Sequence, residues 1–172
     1  IEQLLERDTI QLNHQELDNQ IAGRRIVVTG GAGSIGSEIV RQLLKYNPST
    51  IVIVDQAETP LHDLELELTA TMNITKLVFF LGDVRNQNRM EELFSNFHPH
   101  IVYHAAAYKH VPMMEISPSE AILTNVGGTK MIADLSVKYK VSRFVMVSTD
   151  KAVNPTNVMG ASKRLAERFR VL

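Results

Sequence analysis

Glycines at Gly30, Gly33 and Gly36 carry the most specific chemistry in this sequence. They follow an apolar, β-branched run, Ile26 to Val28, and lead into a segment with apolar Ile35, Ile39, Leu43 and Leu44 at helical spacing. Strand, glycine turn and helix in that order make a site for a pyrophosphate. Glycine lets the turn take positive φ and lets backbone come close to the anion. A helix starting near Ser34 aims unpaired N–H groups and its positive dipole end at the same place. Gly31-Ala32-Gly33-Ser34-Ile35-Gly36 also fits the two-glycine spacing G-x-G-x-x-G. Nineteen residues after Gly36, Asp55 closes a second apolar run, Ile51 to Val54. A carboxylate there accepts from the two adenosine ribose hydroxyls and repels a 2′-phosphate. The expected cofactor is NAD, held by Gly30, Gly33, Ser34, Ile35, Gly36 and Asp55. A tight turn plus a surface aspartate is the plain alternative, and the ordered arrival of all five features disfavours it.

Four more polar clusters follow apolar runs. Gly82-Asp83-Val84-Arg85 offers an aspartate and backbone amides, at Asp83 and Val84, to adenine N6 and N1; the same aspartate could cap the next helix. His104-Ala105-Ala106-Ala107 is small after the histidine. Ala105, Ala106 and Ala107 would let pyrophosphate and nicotinamide lie against backbone, although tight helix packing also wants small residues. His104 alone reads as a satisfied core histidine. Tyr108-Lys109-His110 could reach a substrate or a partner subunit, and Lys109 and His110 are candidates for substrate contact. Ser148-Thr149-Asp150-Lys151 is followed twelve residues later by Lys163. Hydride chemistry on a sugar alcohol needs a base on the hydroxyl and a cation that lowers that base's pKa. Alone, Lys163 would be a solvated helix lysine; its surroundings favour a functional one.

The elements that position these clusters are readable from periodicity. Strands are expected at Ile26–Val28, Ile51–Val54, 76–81, Ile101–His104 and Phe144–Val147. Helices are expected from Ser34, over Glu58–Met72, Asn88–Phe97, Pro118–Tyr139 and Asn157–Leu172. The Glu58–Met72 stripe is Leu61, Leu64, Leu68 and Met72, with Leu66 off it. In the helix over 118–139, Ala121, Ile122, Asn125, Ile132, Leu135 and Ser136 form the expected inward stripe. Residues 1–22 make a helical arm, with Ile1, Leu4 and Leu5 on one face and a second helix starting near Asn13. Residues 23–172 make one domain. Short buried strands alternating with helices predict an α/β fold with a doubly wound parallel sheet. Ligands of such sheets bind beyond the carboxyl ends of the strands, where all the clusters sit.

Composition narrows the partners. A net charge of −1 over 172 residues gives no basic field for nucleic acid and no polybasic membrane patch. With no cysteine, disulfides, thiolate nucleophiles and cysteine zinc sites are excluded, and no metal site is expected. A cytoplasmic compartment fits. No apolar run approaches a membrane span, and no signal peptide is visible. The chain starts at Ile1 and stops at Leu172 inside an expected helix, so a piece of a longer protein is expected.

The sequence resembles an extended short-chain dehydrogenase/reductase of the Rossmann type. Within that superfamily, Thr29 to Glu38, His104 to Pro112, Thr124-Asn125-Val126-Gly127-Gly128-Thr129 and Ser148 to Arg164 are similar to the nucleotide-sugar 4,6-dehydratases of capsule, O-antigen and protein-glycosylation pathways. The resemblance covers residues 22 to 170, and the arm resembles the segment that precedes the Rossmann domain there. It implies a UDP-N-acetylglucosamine-like substrate, with Asn125 among the substrate contacts. It also implies a C-terminal substrate lobe not contained in this chain, a homo-oligomer pairing helices 118–139 and 157–172, and a parent anchored on the cytoplasmic face of the inner membrane. The isolated piece is expected to bind dinucleotide without turning over substrate.

One departure from the superfamily is informative. Its last helix usually begins Tyr-x-x-x-Lys, with tyrosinate as base; here the tyrosine position is Met159, and Lys163 keeps its place. The resemblance then makes Thr149, Asp150 and Lys151 the catalytic residues, with Lys163 on the nicotinamide ribose. The implied reaction is redox-neutral. The C4 hydroxyl is oxidised by NAD⁺, the C5 proton and C6 hydroxyl leave as water, and hydride returns to C6. Lys151 would be the base at C5, Asp150 the acid at C6, and Thr149 the hydrogen-bond partner near O4. Three alternatives stand beside it. Met159 argues against a 4-epimerase. Asp55, Glu58 and the lack of arginine or lysine between Ile51 and Lys76 argue against an NADP-dependent reductase. A non-catalytic dinucleotide-sensing or scaffold domain is equally compatible with Met159.

Overall fold

The structure is a computed structural model and describes residues 14–71 and 76–169. Its centre is a five-stranded sheet of β1 (Arg25–Thr29), β2 (Thr50–Asp55), β3 (Leu77–Leu81), β4 (Ile101–His104) and β5 (Arg143–Met146). The order is β3-β2-β1-β4-β5 and every pairing is parallel. The strands alternate with α1 (His14–Ile21), α2 (Ser34–Leu44), α3 (Glu58–Thr71) and α4 (Gln87–Phe97), then with α5 (Val111–Ile116), α6 (Pro118–Ala121), α7 (Thr129–Lys138) and α8 (Val158–Ala166). This is the doubly wound Rossmann arrangement, and the strand order reverses between β1 and β4.

Both faces of the sheet are covered, which is why its inner strands are unbroken apolar runs. Side chains alternate across a strand. Ile26, Val28, Ile51 and Ile53 pack under α2 and α3 with Val40, Leu43, Leu61, Leu64 and Leu68. Val27, Val52, Val54 and Val102 meet Met90, Leu93, Phe94, Ile132 and Leu135 on the other face. Each such buried side chain contributes about 1.5–3 kcal/mol. The register pairs Thr29 with both Val54 and His104, so the carboxyl ends of β1, β2 and β4 form one level edge.

Several expected elements are revised. The stripe on α2 omits Ile35, which is 55% exposed; Gly36, Val40 and Leu43 face inward instead. The helix over 118–139 is interrupted. Between α6 and α7, Ile122–Gly128 widens into a π-helical segment. Two consecutive glycines, Gly127 and Gly128, weaken the regular helix there. Ile122 consequently turns outward, while Thr124, Asn125 and Gly128 are buried. Helix α5 lies where no helix is expected. α8 ends at Ala166, short of the expected Leu172, after an N-cap in which Asn157 Oδ1 accepts from Gly160 N at 2.8 Å. The second arm helix is present as α1, tied down by a 2.9 Å hydrogen bond between His14 Nδ1 and the Tyr46 hydroxyl. Residues 1–13 with the first arm helix, Met72, and 170–172 lie outside the described residues.

Candidate active site

A cleft of about 260 Å³ opens over the point where the strand order reverses. Gly30, Gly33, Ser34, Ile35, Gly36, Asp55, Val84, Ala105, Ala106 and Ala107 all line it. The three glycines do different work. Gly30 has φ +65°, and a Cβ there would sit 2.6 Å from Ala106 N. Gly36 lets α2 descend onto the turn; its Cβ would lie 2.0 Å from Gly30 O. Gly33 is the N-cap of α2, and a Cβ there would meet protein only at Gly30 O, 3.3 Å away. The first bond of the helix runs from Ser37 N to Gly33 O. The N–H groups of Ser34, Ile35 and Gly36 therefore have no intrahelical acceptor. A cradle kept clear of Cβ atoms and rimmed by free N–H donors fits a pyrophosphate.

Asp55 lines the cleft beside this cradle. Its Oδ2 accepts from Ala32 N and its Oδ1 from Ala57 N, each at 3.0 Å. The carboxylate is fixed against the glycine turn, and each oxygen keeps a lone pair for a hydroxyl. Around Asp83 the arrangement differs from expectation. Gly82 and Val84 line the cleft, but the Asp83 side chain does not. Arg85 grips both Asp83 oxygens at 2.7–3.1 Å and reaches Glu120 at 2.8 Å. Burial pushes the Asp83 carboxyl up, but Arg85 outweighs it and holds it below the usual carboxylate range. The only local sequence signal for this role of Arg85 is its position two residues from an aspartate.

His104 is the satisfied core histidine. It is fully buried, with Nδ1 2.6 Å from Thr29 Oγ1 and Nε2 2.9 Å from Thr129 Oγ1. Burial, helped by the charge of Lys163, pushes its pKa down to about 3. Asn125 is a correction. It is fully buried rather than open to substrate. Its Oδ1 accepts from Tyr108 N at 2.8 Å, and its Nδ2 donates to Tyr108 O and Ser162 Oγ, both at 3.0 Å. It therefore clamps the cleft wall at Tyr108 to α8, one residue before Lys163. Lys109 lines the cleft; His110 is exposed outside it as the N-cap residue of α5.

The catalytic candidates follow β5. Thr149 Oγ1 donates to Asp150 Oδ1 at 2.9 Å, and Lys151 Nζ lies 3.4 Å from the same oxygen. The Thr149 hydroxyl and the Lys151 cation hold the Asp150 carboxyl below its ordinary range. Asp150 and Lys151 are 86% and 51% exposed, so this corner faces solvent. Lys163 is buried and donates to Val147 O at 2.6 Å. Burial lowers its pKa, partly opposed by Glu167. Met159 is buried with Met114 and Ala121, so no proton donor occupies that position. Glu115 was missed from the sequence: its Oε1 accepts from Val158 N at 2.7 Å and seats the start of α8. Among the described residues, no His/Cys/Asp/Glu cluster could hold a metal ion. No described helix is long and apolar enough to cross a membrane.

Residues 26–171 match the family described as polysaccharide biosynthesis protein. The chain belongs to that family. Its relatives include the capsular polysaccharide biosynthesis protein CapD of Staphylococcus aureus, 46% identical over 97% of this chain and 28% of CapD. A UDP-N-acetylglucosamine 4,6-dehydratase (inverting) of Campylobacter jejuni is 35% identical over 87% of this chain and 43% of that enzyme. A UDP-glucose 4-epimerase of Rickettsia rickettsii is 38% identical over 86% and 43%. The chain thus spans less than half the length of these family relatives. Among solved structures, Pen from Bacillus thuringiensis superposes with a TM-score of 0.80 at 32% identity, over 86% of this chain and 44% of Pen. WbmG of Bordetella bronchiseptica, solved with NAD and UDP, gives 0.73 at 26% identity, over 86% and 49%. The fold is that of the extended short-chain dehydrogenase/reductases.

Proposed function

We propose that this chain is the NAD-binding part of a nucleotide-sugar 4,6-dehydratase acting on UDP-N-acetylglucosamine or a close relative. The observation that carries the reading is the composition of the corner after β5. Thr149, Asp150 and Lys151 stand together, buried Lys163 bonds the carbonyl of Val147 just before them, and Met159 leaves no phenol. The dehydratase relative and the NAD-bound neighbour support the substrate class and the cofactor. NAD, held by the glycine turn and Asp55, would supply the hydride chemistry, as acceptor from the sugar's C4 and donor to C6.

The chain's own residues supply the rest. The α2 N-terminus and the Gly30–Gly33 turn hold the pyrophosphate, and Asp55 accepts from the ribose. Thr149 orients the sugar near O4. The O4 proton passes to solvent as C4 is oxidised. Lys151 acts in its neutral form, which burial under bound substrate favours: it removes the C5 proton and returns a proton to C5 as hydride reaches C6, while Asp150 protonates the leaving C6 hydroxyl. In the open corner Asp150 is ionised. Acting as an acid requires that bound substrate and the rest of the parent dehydrate it, which raises a carboxyl pKa. The isolated chain, without those contacts, binds dinucleotide but does not turn over sugar. Pairing of the 118–138 segment and α8 in a homo-oligomer, and membrane anchoring of the parent, are part of the same proposal.

The test uses the full-length parent with UDP-N-acetylglucosamine. Mass spectrometry should find loss of one water and a 4-keto product, and Asp150→Asn should slow this by about 10²–10⁴-fold. Dehydration at the wild-type rate in Asp150→Asn would remove that residue as acid. The epimerase relative favours one second reading, a 4-epimerase. It predicts a product of unchanged mass.

A further inference from the structure

We infer that Tyr108 is a strap across the dinucleotide cleft, latched by Gln56, that slows release of the bound cofactor. The inference rests on the dinucleotide reading above. Tyr108 follows β4, yet its hydroxyl meets Gln56, the first residue beyond β2, accepting from Gln56 Nε2 at 3.3 Å. β1 lies between those strands, and Gly30, which follows β1, lines the cleft. The phenol therefore passes over the place where the glycine turn faces the ligand space. Its surroundings agree with that path. The ring packs against the cluster of Met114, Ala121 and Met159. The hydroxyl also lies within electrostatic range of Arg85, beyond β3.

The strap has a fixed root. Asn125 holds both the N–H and the carbonyl of Tyr108, and Asn125 is itself buried and bonded to Ser162. Backbone motion at Tyr108 would break this clamp, so opening falls to the side-chain torsions. The latch is weak enough to allow it. Its donor is an exposed amide, and 3.3 Å is long for an N–H···O bond. A strap of this kind opens for entry and closes over what has entered. That suits the proposed reaction, in which the hydride comes back to the same sugar and the dinucleotide ends each cycle as it began. Rapid exchange would serve an enzyme that discharges reduced cofactor; slow release serves one that keeps it.

The experiment is stopped-flow release of NADH from the purified protein, displaced by excess NAD⁺ and followed by NADH fluorescence. Tyr108→Phe keeps the ring and removes the latch; Gln56→Ala removes the latch from the other side. Each should speed release by about 2–10-fold, the range for one neutral hydrogen bond. The double variant should release no faster than either single one, because both changes cut the same contact. Tyr108→Ala should release faster still. Release at the wild-type rate in all variants overturns the strap. Faster entry with unchanged release in Tyr108→Ala also overturns it, since the ring would then only obstruct. A wild-type protein that takes up neither NADH nor NAD⁺ sinks the cofactor reading itself, and the strap with it.

Discussion

His104 makes the protein lose stability in mild acid. Its ring is fully buried and bridges Thr29 on β1 to Thr129 on α7. Burial holds the folded-state pKa at about 3. In the unfolded chain an ordinary histidine titrates near 6.5. Between these values the unfolded state carries a proton that the folded state refuses. Stability is therefore fully present above pH 6.5 and falls as pH drops toward about 3, with a limiting slope of about 1.4 kcal/mol per pH unit. Integrated from pH 7 to pH 5, this one group removes about 2 kcal/mol, a large share of an ordinary domain's stability. The assay is urea unfolding at pH 7, 6 and 5 on the wild type and His104→Gln. Glutamine keeps hydrogen-bonding capacity but has no proton to take up, so the variant should lose less stability over the same interval. His100, also lowered by burial, is present in both proteins and cancels from the comparison. Parallel pH profiles would refute the argument. So would a His104 ring that titrates near pH 6.5 by NMR in the folded protein.

Two further predictions separate scaffold from site. Gly36→Ala should destabilise by at least about 3 kcal/mol in thermal unfolding, because its Cβ would fall 2.0 Å from a backbone oxygen that cannot swing away. Gly33→Ala should leave stability within about 1 kcal/mol, because the nearest protein atom to its Cβ is 3.3 Å away, yet should weaken NAD⁺ binding by calorimetry. Equal behaviour of the two variants would contradict the division of labour among the glycines. Asn125→Ala should cost about 2–4 kcal/mol, since it strips partners from both polar groups of the Tyr108 backbone and an acceptor hydrogen bond from Ser162; a loss below about 0.5 kcal/mol would show the clamp to be idle.

The fold was legible because its signals are local. Ile51–Val54 reads as a buried strand from four adjacent residues, and the glycine turn declares itself within seven. The Leu61, Leu64 and Leu68 stripe needs only one helix to be understood, and all three are buried. What escaped depends on partners that only the folded arrangement brings together. Nothing around Asn125 indicates that Ser162, thirty-seven positions away, will take its amide. Asp83 looks like a ligand for adenine until Arg85 and Glu120 are placed beside it. The π-helical segment at Ile122–Gly128 lies within a normal helical pattern, and only packing shows which residues it turns inward. Glu115 has no motif; its role exists only once α5 sits against the start of α8.

Met159 also bears on the history of such a protein. It is 4% exposed and closed over by Met114 and Ala121. A tyrosine put back there would have to push those neighbours apart, at about 1–3 kcal/mol. Its hydroxyl would be buried, with a penalty of similar size until a partner was found. The return path thus loses stability before it regains any reactivity. The packing around Met159 therefore resists a tyrosine by single substitution. Descendants of such a protein would find new chemistry in the exposed loop after β5, where a side chain can be changed without repacking a helix.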